Sequence, residues 1–427
     1  MMMPLPLFAR RLAVIACLAG WLASPGLAQT STAAGPARAP VLSAAGQAAI
    51  SKQLRDAVSR GYTPGVVALV VDRQGVLYQG AAGKLDGAHN VAMPVDAIFP
   101  IASMTKPVTS VAIMILFEEG KLQLDDPVSK YLPGFDNPRV ITKFNEADAT
   151  YETRAARRPM TIRHLLTHTS GIGYAFSSAI EKRLTEATKM AEWQLPLLSD
   201  PGEEWHYGAS TRVLGMIVEK IAGVSLETYF QRRIFQPLGM VDTSFAVPEA
   251  KQARVPTRHK RVDGVLREQP RVAVPSKPVP PFQGDGGLYS TVQDYGKFVR
   301  MLLNNGRLGS VKILSESSVK MMGENNIGSI FVELQPAADQ SLTNPFPLGA
   351  GRDKFGLGFE IAAGDPHNPN LRSAGSLSWA GIYNTEFWID PVKHIGGVQM
   401  MQLLPFYDDG AIRTLRGFEG LVYRNLR

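Results

Sequence analysis

Apolar positions recur along this chain with two different periods. From Leu42 to Gly61, LSAAGQAAISKQLRDAVSRG carries them at helical spacing and stops at a glycine, a residue that readily ends a helix. VVALVVD and VLYQGAAG follow, joined by Arg73-Gln74-Gly75; two apolar runs about a short turn predict a β-hairpin. The same signal returns near the other terminus, where TEFWID and GGVQMMQLL flank Pro391-Val392-Lys393-His394. GAIRTLRGFEGLVYRN closes the chain as a predicted helix. In between, TIRHLLTHTSG, STRVLGMIVEKIAG and SLETYFQRRIF read as helices among loops. The proline-rich stretch from Glu268 to Phe282 reads as an extended loop, and residues 325–351 follow no period. Strands at both ends with helices between predict one sheet built from both termini, residues 42–115 and 285–427, with a mainly helical region, residues 116–284, inserted into it.

The beginning of the chain follows a different logic. Arg10 and Arg11 precede an apolar run from Leu12 to Ala23, and Gly26-Leu27-Ala28 supplies small residues after it. This is the layout of a secretory signal peptide, residues 1–28, cleaved after Ala28; it predicts a periplasmic or secreted protein with residues 29–41 as a flexible leader. The apolar run is too short to span a bilayer comfortably, so no stable membrane anchor is expected after cleavage. Cys17, the only cysteine, leaves with the signal, so neither a disulfide nor a thiolate metal site is expected. Composition adds little: 45% of the residues are hydrophobic and 19% charged, as in an ordinary globular protein. The net charge of +7 falls by two with Arg10 and Arg11, and a scattered excess of this size does not argue for nucleic acid.

The candidate chemistry begins at FPIASMTKPVTSVAIMILF, residues 99–117. Pro107 lacks an N–H, and its ring would clash with the carbonyl four residues back, so a helix here cannot extend far upstream of Ser103. Ser103 is therefore predicted at a helix N-terminus, Pro107 in the first turn, and Lys106 one turn on along the same face. The run from Val111 to Phe117 is apolar all round, which predicts a buried helix. Burial favours a neutral lysine amine, able to take the proton of Ser103: a nucleophile with its own base on one rigid turn. S-x-x-K occurs a second time, at Ser317-Ser318-Val319-Lys320, in what reads as an ordinary surface helix without this context.

Two downstream elements add polar groups. In EEWHYGAS, Tyr207 follows a Pro201-Gly202 turn; a tyrosine hydroxyl beside Ser103 and Lys106 would shuttle protons to a leaving group, although the plainer reading is a packed, half-buried tyrosine. In SLSWAGIYNTEFWIDP, Trp379-Ala380-Gly381 begins a predicted strand. Gly381 lets a ligand approach the backbone closely, and the N–H of Ile382 with that of Ser103 would form an oxyanion hole.

Together these segments resemble the serine β-lactamase and penicillin-binding-protein superfamily, and within it the class C-like esterases called family VIII carboxylesterases. SMTK matches S-x-x-K, Tyr207-Gly208-Ala209 stands at the place of Y-x-N, and Trp379-Ala380-Gly381 at that of K-T-G. EEGKLQLDDPVSKYLPGF, IRHLLTHTSGI, IFQPLGMVDTSF, GDGGLYSTVQDYGKF and FGLGF support the likeness, which runs from about residue 42 to the C-terminus. It implies an α+β, β-lactamase/DD-peptidase-like fold: an antiparallel sheet flanked by helices, an all-helical region, and the site between them. It also implies that Ser103 is acylated with Lys106 and Tyr207 as its proton-handling groups, that the partner is a small-molecule ester, and that no metal or cofactor takes part.

The departures sharpen this. In the lactamases the lysine of K-T-G supplies positive charge near the substrate carboxylate; here Trp379 replaces it, the pattern of the esterase branch. The resemblance therefore implies hydrolysis of short-chain carboxylic esters, ahead of β-lactamase, D-amino-acid peptidase or acyltransferase action. Arg372, shortly upstream, is the candidate to restore the missing charge. Ala209 replaces the asparagine of Y-x-N, and Asp285 a glycine of the G-x-G-G segment. Other classes lack their marks: no complete G-x-S-x-G occurs, and His164 and His168 come without HExxH, so packing and helix-end hydrogen bonds are expected of them. A non-catalytic peptidoglycan-binding relative would have no use for Ser103, Lys106 and Tyr207 together.

Overall fold

Apolar hairpins from opposite ends of the chain meet in one sheet. The computed structural model describes residues 39–368 and 370–427; the predicted signal peptide and its cleavage site lie outside the described residues. The strands of the main sheet are β1 (Gly65–Asp72), β2 (Val76–Asp86), β3 (Val91–Ala92), β4 (Lys354–Phe355), β5 (Glu360–Ile361), β6 (Leu377–Gly381), β7 (Thr385–Asp390) and β8 (Ile395–Met400). They lie in the order β4-β5-β6-β7-β8-β1-β2-β3, each antiparallel to its neighbours. β1–β2 and β7–β8 are the two hairpins expected from the sequence, and they join where Val67 faces Met400 and Leu69 faces Val398.

The helices that matter for the site are α1 (Ala44–Ser59), α2 (Thr105–Glu118), α3 (Ile162–Leu166), α4 (Ser210–Ala222), α5 (Val292–Leu303) and α6 (Asp409–Asn425). β1 is buried at every position because the sheet is covered on both faces, which is why its sequence reads as a continuous apolar run rather than an alternation. Val66, Ala68 and Val70 join one core with Ile50 and Leu54 of α1 and Leu415 and Phe418 of α6. Val67, Leu69 and Val71 face a second core with Phe298 and Val299 of α5 and the apolar residues of α2 from Val108 to Leu116. Residues 105–116 of α2 are all buried, as its all-round apolar sequence demands.

Local departures from the pattern have identifiable causes. α3 ends at Leu166, and the chain turns at His168, whose φ is +57°; the helix is thus shorter than its apolar spacing suggested. After the short helix Leu226–Phe230 the chain opens into a π-turn over Gln231–Phe235. Residues 116–284 also contain two hairpins, Arg139–Phe144 with Tyr151–Ala155 and His259–Val262 with Val265–Glu268. Residues 325–351 form no helix or strand and are tied by isolated bridges from Gln335 to Phe346 and Thr343 to Phe406. Among the described residues no helix is long and apolar enough to cross a membrane.

Candidate active site

Ser103 sits on a single 3-10 turn, Ala102–Met104, that runs directly into α2. Pro107 falls in the first turn of the helix, as its missing N–H requires. Ala102 has φ of +44°, a left-handed conformation that costs a non-glycine residue about 1–2 kcal/mol and persists where the surroundings dictate it. Here they do. Ile101 donates its N–H to Leu288 and accepts from the Thr385 hydroxyl, while the Tyr295 hydroxyl bonds the Met104 carbonyl. Gly381 belongs to the same clamp: a Cβ there would stand 2.3 Å from the Ile101 carbonyl oxygen. The sequence assigns this glycine to ligand approach; the structure shows the backbone that leads into the Ser103 turn occupying that space.

Lys106 is 2% exposed and makes three hydrogen bonds. Its Nζ lies 3.2 Å from Ser103 Oγ, 3.0 Å from the Tyr174 hydroxyl and 2.9 Å from the Asp285 carbonyl oxygen. The Tyr174 hydroxyl donates in turn to Asp285 Oδ2 at 2.5 Å, and Asp285 Oδ1 accepts from Arg212 Nε at 2.8 Å. A count of donors gives the network its direction. The hydrogen of Tyr174 is committed to Asp285, and the Asp285 carbonyl can only accept. In its neutral form, the one a base needs, Lys106 would donate its two hydrogens to Tyr174 and Asp285 and keep its lone pair for the proton of Ser103. Burial, together with the Asp285 charge, pushes the Tyr174 phenol well above its ordinary range, so it stays protonated and keeps this pattern.

Tyr174 does not stand out in the sequence. Its only signal there is its place three residues after THTSG, a segment that merely supports a resemblance. Tyr207, which does stand out, reaches the site: it lines the same cavity as Ser103. However, Lys106 meets the face of its ring, 4.8 Å from the centroid, and its hydroxyl accepts from Trp379 Nε1 at 3.3 Å. That bond leaves the hydroxyl's own hydrogen free to be donated. Trp379 and Ile382 also line the cavity. The backbone N–H groups of Ser103 and Ile382 donate to no backbone carbonyl among the described residues. Asp285, given no role from the sequence, turns out to hold Tyr174.

The histidines behave as packing residues. The side chain of His164 accepts from the Thr161 N–H in a capping box. His168 is buried among Tyr207, Trp205 and Trp379; burial above all holds it well below the ordinary imidazole range, and it accepts from the Gly208 N–H at 3.4 Å. Among the described residues no group of His, Cys, Asp and Glu is arranged to hold a metal ion. The second S-x-x-K lies on the short helix Glu316–Met322, where Lys320 is 77% exposed on its side chain.

Gly208 sets the spacing between the two tyrosines. A Cβ there would lie 2.0 Å from the Ile172 carbonyl oxygen and 2.6 Å from that of Gly173, both rigid backbone atoms just before Tyr174. Gly208→Ala is expected to force these segments apart at a cost of about 1–3 kcal/mol. A lowered melting temperature together with a loss of ester turnover is the expected outcome; an unchanged value of either would show that the contact gives way freely.

The β-lactamase family model matches residues 50–421. The chain is 30% identical to Monacolin J acid methylbutanoyltransferase of Aspergillus terreus, over 86% of this chain and 94% of that protein. It is 28% identical to Lovastatin esterase of Penicillium rubens, over 86% and 96%. Its fold is similar to that of EstCE1, described as a hydrolase with promiscuous acyltransferase activity, with a TM-score of 0.70, 25% identity, and 89% and 100% of the two chains covered. A match over nearly the whole described chain leads to one identification: the chain belongs to the β-lactamase family and is an enzyme of the serine β-lactamase superfamily.

Proposed function

We propose that this enzyme hydrolyses carboxylic esters of short acyl chains through an acyl-Ser103 intermediate. The single observation that carries this reading is the Lys106 network, whose other hydrogen-bonding positions are filled so that only Ser103 is left to meet the amine lone pair. Lys106 takes the Ser103 proton as Oγ bonds to the ester carbonyl carbon. The carbonyl oxygen becomes an oxyanion held by the N–H groups of Ser103 and Ile382. Collapse breaks the bond to the alcohol oxygen, which takes a proton from the Tyr207 hydroxyl, and water in the cavity carries the Lys106 proton back to that hydroxyl. Water attacks the acyl-enzyme by the same route and releases the acid. Tyr174 and Asp285 hold Lys106 in place. All of these steps use the chain's own groups and water. Trapping an acyl-serine adduct at Ser103 with a fluorophosphonate probe, read by mass spectrometry, tests the reading; labelling elsewhere would sink it.

Ester over lactam follows from the charges. Trp379 presents a flat apolar wall and one N–H, which it gives to Tyr207. Arg372 lines the cavity but binds Glu419, at 2.9 and 3.3 Å, so it does not replace the missing lysine. A buried charge left unpaired costs about 2–5 kcal/mol, very roughly thirtyfold to several thousandfold. The kcat/KM for p-nitrophenyl butyrate should exceed that for nitrocefin by about a hundredfold or more; comparable values would make a lactamase of it.

Acyl transfer to an alcohol is the second reading, favoured by the transferase relative and by the promiscuous acyltransferase activity described for EstCE1. It differs only in the acceptor that meets the acyl-enzyme. Added alcohols that divert the product from acid to new ester would establish it.

A further inference from the structure

The cavity that opens at Ser103 does not end at Trp379. It has a volume of about 230 Å³ and continues to Glu360 and Glu386. The sheet explains how. β5 pairs only with Leu377 and Ser378 of β6, so the edge of β6 beyond Ser378 is free. Trp379 and its partner Phe387 belong to the core on the α2 face. Ala380 and Glu386 are also paired, and side chains alternate along a strand, so Glu386 faces the α6 side. The cavity thus passes round the free edge of β6 to an inner arm beneath α6.

The inner arm is acidic and unfinished. Glu386 is 7% exposed, and its carboxyl makes no hydrogen bond or ion pair among the described residues. Glu360 is 8% exposed, and its Oε1 has no partner among the described residues. Asp353 crowds it: a Cβ on Gly349 would lie 2.0 Å from Asp353 Oδ2 and 2.6 Å from Glu360 Oε1, so both carboxyls converge on one spot. Burial, and for Glu360 also the Asp353 charge, raise both glutamates, Glu386 to about 7. The cation nearest to hand, Arg372, is already neutralised by Glu419, and Arg352 and Arg416 stand exposed at the rim. Buried carboxyls that share one already-paired cation are costly, and the three are not arranged to hold a metal ion. Phe346 and Phe406 add aromatic wall, which also suits an organic cation.

We infer that the inner arm binds a protonated amine at the end of one arm of the substrate, held by Glu386 and Glu360. This names a substrate class for the ester-cleaving site and so rests on that reading. From Ile382 back to Ala380 is about 6.6 Å of strand, and across to Glu386 about 4.8 Å more; a chain of five or six carbons between carbonyl and amine matches this reach.

The test compares isosteric pairs. On the acyl side these are p-nitrophenyl 6-aminohexanoate and p-nitrophenyl heptanoate; on the alcohol side, 6-aminohexyl butyrate and heptyl butyrate. In one pair the amine should raise kcat/KM by at least about tenfold, and Glu386→Gln should reduce that ratio at least severalfold. Equal values within both pairs, or a preference for the neutral ester, would overturn the inference while leaving ester hydrolysis standing. If no ester is cleaved, the functional reading fails instead, and titration calorimetry still decides the subsite: n-hexylammonium should bind the wild-type protein more tightly than n-hexanol and lose that advantage in Glu386→Gln. Equal binding of the two would end the proposal.

Discussion

Ser103→Ala is expected to leave a folded protein whose ester turnover falls to background, a loss on the order of ten-thousandfold or more, since removing a nucleophile from a cooperating unit removes nearly all of its catalysis. The fold should tolerate the change. The Ser103 hydroxyl has a single hydrogen bond, to Lys106, and the turn around it is held by backbone groups of Ile101 and Met104 and by Gly381. Ser317→Ala is the control. Its S-x-x-K has the same spacing, but Lys320 is exposed and turned to Glu324, and the Ser317 hydroxyl meets that of Ser315 rather than the lysine. Turnover of p-nitrophenyl butyrate by both variants, with melting curves to confirm folding, checks the contrast. A Ser103→Ala enzyme that keeps more than about a tenth of its activity would show that the nucleophile lies elsewhere.

Lys106→Met should cost about a hundred- to ten-thousandfold in kcat/KM, the span of general acid–base catalysis, because the methionine fills the buried space but has no basic group to take the Ser103 proton. The two tyrosines should then separate by leaving group. Tyr174→Phe loosens Lys106, so it should slow p-nitrophenyl and alkyl butyrates alike, and its effect should nearly vanish in the Lys106→Met background, where there is no amine left to position. Tyr207→Phe removes the proposed proton donor to the departing alcohol. It should spare p-nitrophenyl esters, whose phenolate leaves unaided, and slow alkyl butyrates by at least about tenfold more. Identical profiles for the two variants, or losses that multiply with Lys106→Met, would show that Tyr174 and Tyr207 do not hold these separate roles.

Much of this site was legible before any coordinates, for a local reason. Pro107 constrains the backbone within four residues, so the start of α2, the place of Ser103 just before it and the position of Lys106 all followed from one short segment. The hairpins were equally local, each marked by a turn between two apolar runs. His164 and His168 take the packing and helix-end roles expected of them, although their spacing did not tell that α3 ends at Leu166 and the chain reverses at His168. Tyr207 was found by its place in the chain, yet its hydroxyl points to Trp379, and no periodicity encodes where a hydroxyl points.

The sequence by itself determined the elements, the Ser-Lys turn and the family resemblance, because these depend on residues a few positions apart and on the order of segments along the chain. Only the tertiary structure decided which groups complete the site. Lys106 meets Tyr174 across 68 residues and Asp285 across 179, and Arg212 closes on Asp285 across 73. The acidic arm of the cavity likewise exists only because β5 stops short along β6 and α6 covers the far face of the sheet. Such contacts are set by how distant backbones pack, and a hydrogen bond or an unpaired carboxyl depends on distances of a few ångströms that no local pattern records.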